Sequence, residues 1–305
     1  MSVRDDLTRF GPDQQAVVDL RTAEAYCREI ASTHYENFPV VSWLLPRHLH
    51  QHFYNVYAYC RWSDDLGDEL GDPAQSLQML AWWQSQLDAC YAGECLHPVF
   101  VALRPTIERF AIPRDPFADL ISAFVQDQTV HEYETYEHLR DYCRRSADPV
   151  GRIVLYLCEV FTPQRAELSD NVCTGLQLAN FWQDVARDLD IGRIYLPAED
   201  RARFGYTRDD YLQRRFTPQF AELMRFEVDR AKQLLLSGKP LIPQMPGRLQ
   251  VDIDLFTLGG LEILRGIERL KYDVWGHRPT VSKGRLGLHL LTSLMRMVGR
   301  SCFAR

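Results

Sequence analysis

Long stretches of the chain return apolar side chains every three or four positions, and clean alternation of apolar and polar residues is hard to find. AVVDLRTAEAYCREIA (16–31), SLQMLAWWQSQLDACYAG (76–93), FADLISAFVQDQTVHEYE (117–134) and FAELMRFEVDRAKQLLLSG (220–238) all show this spacing. A period near 3.6 makes one apolar stripe on a helix, whereas a half-buried strand needs a period of 2. The pattern therefore restricts the fold to an all-α helical bundle. Glycine and proline punctuation falls between the stretches, at GDP (71–73), IPRDP (112–116), ADPVG (147–151), GRIYLP (192–197), SGKPLIP (237–243) and GHRPTVSKG (276–284). Eight to ten helices are expected. No low-complexity linker and no fixed-period repeat divides the 305 residues, so the sequence reads as a single domain over 1–305. Hydrophobic residues make up 46 % of it, enough for a large core.

Several functional classes are disfavoured. The net charge of −6 speaks against nucleic acid as a partner. No run of 18 apolar residues occurs, and the most apolar stretch, IVLYLCEVF, is short and carries Glu159. The first residues, MSVRDDLTRF, lack the apolar segment of a signal peptide. Eight scattered cysteines without a CxxC read as reduced thiols, which fits a cytoplasmic location. His48 and His52 have zinc spacing but no nearby third ligand, so a structural or surface role is the simpler reading. RPTVSKGRLG is not a phosphate-binding P-loop, and no GxGxxG supports NADPH. No GxSxG points to a covalent nucleophile.

Two acidic segments stand out. CRWSDDLGDE (60–69) places Asp64 and Asp68 at i and i+4 on one helical face, with Asp65 and Glu69 as a second like-charged pair beside them. Such pairs destabilise an exposed helix by a few tenths of a kcal/mol each. LQLANFWQDVARDLDIGRIYLP (176–197) lines up Gln177, Asn180, Asp184 and Asp188 on one stripe, flanked by Leu178, Phe181, Trp182, Val185 and Leu189. Either DxxxD alone is most simply a solvated face. Two of them, both set among aromatic and aliphatic residues, suggest a shared purpose. Carboxylates and an amide oxygen are hard ligands suited to Mg²⁺, which typically binds one or two carboxylates plus substrate phosphates. Two such helices facing each other would hold a diphosphate at the mouth of an apolar interior. That combination suits ionisation of an allylic diphosphate, with aromatic faces to shelter the cation.

DDLGD and NFWQDVARDLDIGRIYLP resemble the paired aspartate-rich motifs of the squalene/phytoene synthase family. The resemblance runs from His34 to Tyr272, through Tyr57, Arg61, Asp64, Asp68, Tyr142–Cys143, Gln177, Asn180, Asp184 and Asp188. It implies an isoprenoid-synthase bundle around a central cavity and three Mg²⁺ ions. Asp64, Asp68, Asn180, Asp184 and Asp188 would be metal ligands. His34, Tyr57, Arg61, Gln177 and Tyr272 would contact the prenyl diphosphate, with Arg61 and Tyr272 assisting its departure and Tyr142 near the cavity.

Three departures narrow the expectation. HYENF carries Glu36 where many relatives have lysine, Gln183 stands where many have arginine, and YCRRSADPVG replaces a Tyr- and Gly-rich stretch. Two diphosphate-gripping cations are thus lost. HYENFPVVSWLLP with YAYCRWSDDLGDE is similar to the hydroxysqualene synthase subgroup of bacterial hopanoid pathways. That subgroup ionises presqualene diphosphate, which carries one diphosphate, and quenches the cation with water. The alternatives are a head-to-head synthase condensing two prenyl diphosphates, and a non-catalytic relative that binds partners through the same bundle. Expected partners are the prenyl diphosphate and pathway enzymes that supply it. Ser146, Tyr142 and Gln177 are candidates, by placement only, for orienting the water. The apolar, basic GRLGLHLLTSLMRMVGRSCFAR fits either a last core helix or a peripheral membrane contact.

Overall fold

A computed structural model describes residues 3–14, 18–33 and 45–280. His34, Glu36 and the apolar, basic C-terminal stretch lie outside the described residues. Among the described residues thirteen α-helical segments occur, more than the eight to ten anticipated. The excess comes from α1, α10 and α11, whose five to eight residues are too short to show a stripe. The described residues form two compact units, one from 3–129 and 152–161, the other from 130–151 and 162–280.

The first unit contains α1 (Val3–Phe10), α2 (Leu20–Thr33), α3 (His50–Asp68), α4 (Pro73–Ala92), α5 (Pro98–Phe110) and α6 (Asp115–Asp127). Helix α3 is central, with α2, α4, α5 and α6 packed on it. Its buried face presents Val56, Tyr59, Trp62, Ser63 and Leu66. Polar atoms of this face find partners: Tyr59 donates to the Phe117 carbonyl (2.8 Å), Trp83 to Ser63 Oγ (2.9 Å) and Trp62 to Tyr26 Oη (3.1 Å). Asp72 caps α4 by accepting from Ala74 N–H, and Pro73 opens the helix, as the GDP punctuation implies. His52 Nδ1 lies 2.9 Å from Thr106 Oγ1 and its ring packs edge-on against Phe110, the structural role expected of it.

The second unit contains α7 (Tyr136–Ser146), the start of α8 (Asp148–Leu157), α9 (Pro163–Asp190), α10 (Ala198–Arg203), α11 (Arg208–Leu212), α12 (Pro218–Gly238) and α13 (Leu249–Arg269). The 28-residue α9 packs most extensively on α12, then on α13. Small residues bring these helices close together. A Cβ at Gly175 would lie 2.8 Å from Leu235 Cγ, at Gly260 2.8 Å from Leu176 Cδ2, and at Gly238 2.8 Å from the Leu168 carbonyl. Trp182 is fully buried and donates to the Glu227 carbonyl (3.1 Å).

The helical spacing of 117–134 overreaches, since α6 stops at Asp127. The carbonyls of His131, Tyr133 and Glu134 instead accept from the amides of Ile194, Ala198 and Glu199, around a parallel bridge between Glu132 and Ile194. Burial of Tyr133 against Tyr195, with ring centroids 5.7 Å apart, outweighs the local helical preference. Beyond this bridge, no strand forms among the described residues.

Candidate active site

In the first unit, Tyr57, Arg61, Asp64 and Asp68 lie on the less buried side of α3, opposite Tyr59, Trp62 and Leu66. The periodicity that builds the core thus leaves this stripe available. Arg61 is held by acids of its own helix: it contacts Asp65 Oδ1 at 2.5 Å, Glu69 Oε1 at 2.8 Å and Asp64 Oδ2 at 3.5 Å. Asp65 and Glu69, which lie off the metal stripe and read from the sequence either as supporting partners or as solvent-facing, are therefore the principal partners of the arginine. Burial raises the Asp65 carboxyl to about 7, and the charges of Glu69 and Asp64 add to that rise against the attraction of Arg61. Arg61 Nε is buried with no hydrogen-bond partner.

In the second unit, α9 exposes Asn180 and partly exposes Gln177, Asp184 and Asp188, while burying Leu178, Phe181, Trp182 and Val185. Asp184 is gripped by Arg278, from the segment after α13. Arg278 Nε lies 2.5 Å from Oδ1, and the terminal nitrogen donates to Oδ2 at 2.9 Å. The same terminal nitrogen donates to Gln183 Oε1 at 3.3 Å, and Gln183 Nε2 donates to the Pro279 carbonyl at 2.5 Å. A guanidinium from 95 residues further along the chain therefore stands beside Gln183. The sequence offers no signal for this pairing, because 276–284 reads only as punctuation. Asp188 is raised to about 7, first by burial and then by the charge of Asp184. Its Oδ2 is buried without a hydrogen-bond partner.

Tyr142 is buried in an aromatic group of the same unit. Its ring centroid lies 5.6 Å from Tyr133, 6.2 Å from Tyr195 and 6.3 Å from Phe181, and the last two stack at 3.7 Å. Tyr272 follows α13 in the left-handed region, with φ of 69°. Burial raises its phenol, as do the nearby charges of Glu268 and Asp229. Arg144 and Arg145 pair with Glu137 (2.6 Å) and Asp141 (2.8 Å) on their own helix. The fully buried Asp148 takes Arg140 at 3.2 Å and the Thr174 hydroxyl at 2.7 Å. Ser146 Oγ is buried and has no hydrogen-bond partner. The seven described cysteines are free.

The donors at both clusters fit a hard divalent cation. They are oxygen ligands, two of the carboxyls are destabilised in their charged form, and one carboxylate oxygen is orphaned. Among the described residues no three His, Cys, Asp or Glu side chains close a metal site unaided. Remaining ligand positions would fall to diphosphate oxygens and water, as is usual for Mg²⁺. No described helix is long and apolar enough to cross a membrane.

Comparison with known proteins agrees with the motifs. A family model described as squalene/phytoene synthase matches residues 31–285. Squalene synthase HpnC from Alicyclobacillus acidocaldarius shares 47 % identity with a TM-score of 0.80, over 83 % of this chain and 95 % of that one. Hydroxysqualene synthase from Rhodopseudomonas palustris is 32 % identical over 240 residues, 76 % of this chain and 80 % of its own. Phytoene synthase from Arthrospira platensis is 30 % identical over 270 residues, 84 % of this chain and 87 % of its own. With its paired aspartate clusters on α3 and α9, the chain belongs to the squalene/phytoene synthase family and is of the HpnC type within it.

Proposed function

We propose that the protein converts presqualene diphosphate and water to hydroxysqualene and diphosphate, with Mg²⁺ held by Asp64, Asp68, Asn180, Asp184 and Asp188. The observation that carries the metal-dependent chemistry is geometric: Asp64 and Asp68 share the less buried side of α3, and Asn180, Asp184 and Asp188 share the less buried stripe of α9, with the Asp188 carboxyl raised among them. Protein clusters that disfavour their own charge are ready to accept a divalent cation. When bound, Mg²⁺ would neutralise the leaving diphosphate. Arg61 contributes a guanidinium held in place by Asp65 and Glu69, whose positive charge would favour a diphosphate oxygen. The carbon–oxygen bond breaks with both electrons leaving on the diphosphate, and the cyclopropylcarbinyl cation rearranges. The Tyr142 ring, grouped with the Phe181–Tyr195 stack, would supply π-density to such a cation. Water then attacks and loses its proton.

The preference for presqualene diphosphate is supported by the similarity to hydroxysqualene synthases and by Glu36. Arg278 favours a second reading, because it restores a guanidinium beside Gln183 and weakens the case for a missing cation there. That reading is head-to-head condensation of two prenyl diphosphates, the reaction class of the phytoene synthase relatives. Purified protein with Mg²⁺, assayed on farnesyl diphosphate and on presqualene diphosphate, separates the two. Hydroxysqualene from presqualene diphosphate alone is the expected result. Turnover of farnesyl diphosphate would transfer the assignment to condensation. Asp184→Ala should lower turnover by roughly 100-fold or more while the protein stays folded. Full activity in that variant would remove Asp184 from the ligand set.

A further inference from the structure

We infer that Arg278 is an internal counter-cation that occupies Asp184 in the metal-free protein, that Gln183 positions it there, and that a divalent cation must displace it to bind. The inference rests on the proposed role of Asp184 as a metal ligand and adds a residue pair that no motif contains.

Three observations lead to it. The contact is two-pronged, with Nε and a terminal nitrogen on separate carboxylate oxygens at 2.5 and 2.9 Å. Fork-to-fork pairing of this kind uses both oxygens and leaves neither free for a second cation in the same plane. The pair is also shielded: the Asp184 side chain is 12 % exposed and that of Arg278 35 %. Finally, the guanidinium is anchored. Gln183 is buried, accepts from Arg278 and donates to the Pro279 carbonyl, so one amide fixes both the arginine and its backbone. Pro279 in turn sits against Gly266, where a Cβ would lie 2.8 Å from Pro279 Cβ. An arginine at 183 would need the space and the acceptor that Gln183 now uses. The glutamine and Arg278 therefore form one arrangement, and the change at 183 makes room for a cation arriving from the C-terminal segment.

Arg187 provides an internal control. It is a second positive charge near Asp184, but its closest approach is 3.9 Å and its side chain is 68 % exposed. Removing it lowers the local positive charge without vacating the carboxylate.

The test is Mn²⁺ binding to the full chain, without diphosphate, followed by the electron paramagnetic resonance of free Mn²⁺. Arg278→Gln should tighten binding by about tenfold, the release expected when a partly shielded two-pronged pair no longer competes. Gln183→Leu, which keeps the guanidinium but removes its anchor, should tighten it in the same direction by a smaller factor. Arg187→Gln should change it by less than about threefold, as for an exposed, screened charge. Unchanged or weaker Mn²⁺ binding in both Arg278→Gln and Gln183→Leu would overturn the inference, as would an equal gain in Arg187→Gln. Introducing Asp184→Asn into the Arg278→Gln protein should abolish the gain. If it does not, the ligand role of Asp184 is the part that fails.

Discussion

The carboxyl of Asp188 makes a quantitative prediction about the metal-free protein. Burial and the neighbouring Asp184 raise it from an ordinary value of 3.8 to about 7. Between those values the native state keeps a proton that the unfolded chain has already lost, so stability falls as pH rises. At 1.36 kcal/mol per pKa unit, a rise of this size bounds the loss at ~4 kcal/mol, and solvent reaching part of the side chain brings the expectation to ~2 kcal/mol. Asp188→Asn removes the charge and keeps the shape. In urea denaturation with EDTA, the variant should match the parent near pH 4.5 and exceed it by ~2 kcal/mol at pH 8. Taking the difference between the two proteins cancels titrating groups that are not coupled to Asp188, including Asp65, which shares the direction of shift. Mg²⁺ with pyrophosphate at pH 8 should stabilise the parent and do little for the variant. A difference that stays flat from pH 4.5 to 8 would refute the buried-charge account of Asp188, and with it the reason given for metal attraction at this site.

Chelation with EDTA should abolish turnover and Mg²⁺ should restore it, with less Mg²⁺ needed as pH rises because the raised Asp188 carboxyl must lose its proton to bind the cation. Asp148→Ala should lower stability by about 3 kcal/mol in urea, since Arg140 and the Thr174 hydroxyl would lose a fully buried partner. Gly238→Ala should cost about 2 to 3 kcal/mol by the same measurement, because its Cβ would meet Val172 Cγ2 at 2.4 Å and the backbone carbonyl of Leu168 at 2.8 Å. Tyr142→Phe, which keeps the ring among Tyr133, Phe181 and Tyr195, should retain more turnover of presqualene diphosphate than Tyr142→Ala.

What could be read from the sequence were the features that repeat locally. Helices α4 and α12 lie close to where their apolar spacing puts them, and the 3–4–4 spacing of Gln177, Asn180, Asp184 and Asp188 does form one stripe of α9. What was hidden depends on contacts between distant residues. Residues 131–134 carry a helical pattern, yet they pair with residues 194–199 because Tyr133 gains more by joining Tyr195 and Tyr142. Asp65 and Glu69 lie off the DxxxD stripe, and only the reach of Arg61 across two turns of α3 reveals their use. Gln183 reads as a lost cation in the sequence, and only the fold brings the Arg278 guanidinium against it.

The glycines that let α9, α12 and α13 touch carry an evolutionary consequence. With Gly175 against Leu235, Gly238 against Leu168 and Gly260 against Leu176, there is little slack for α9 to slide or roll. Asn180, Asp184 and Asp188 therefore inherit their positions from the close packing around these glycines. Descendants of this chain that acquire a new substrate are expected to do so by exchanging side chains along the exposed stripe, while the three glycines drift slowly and serve as a record of common ancestry.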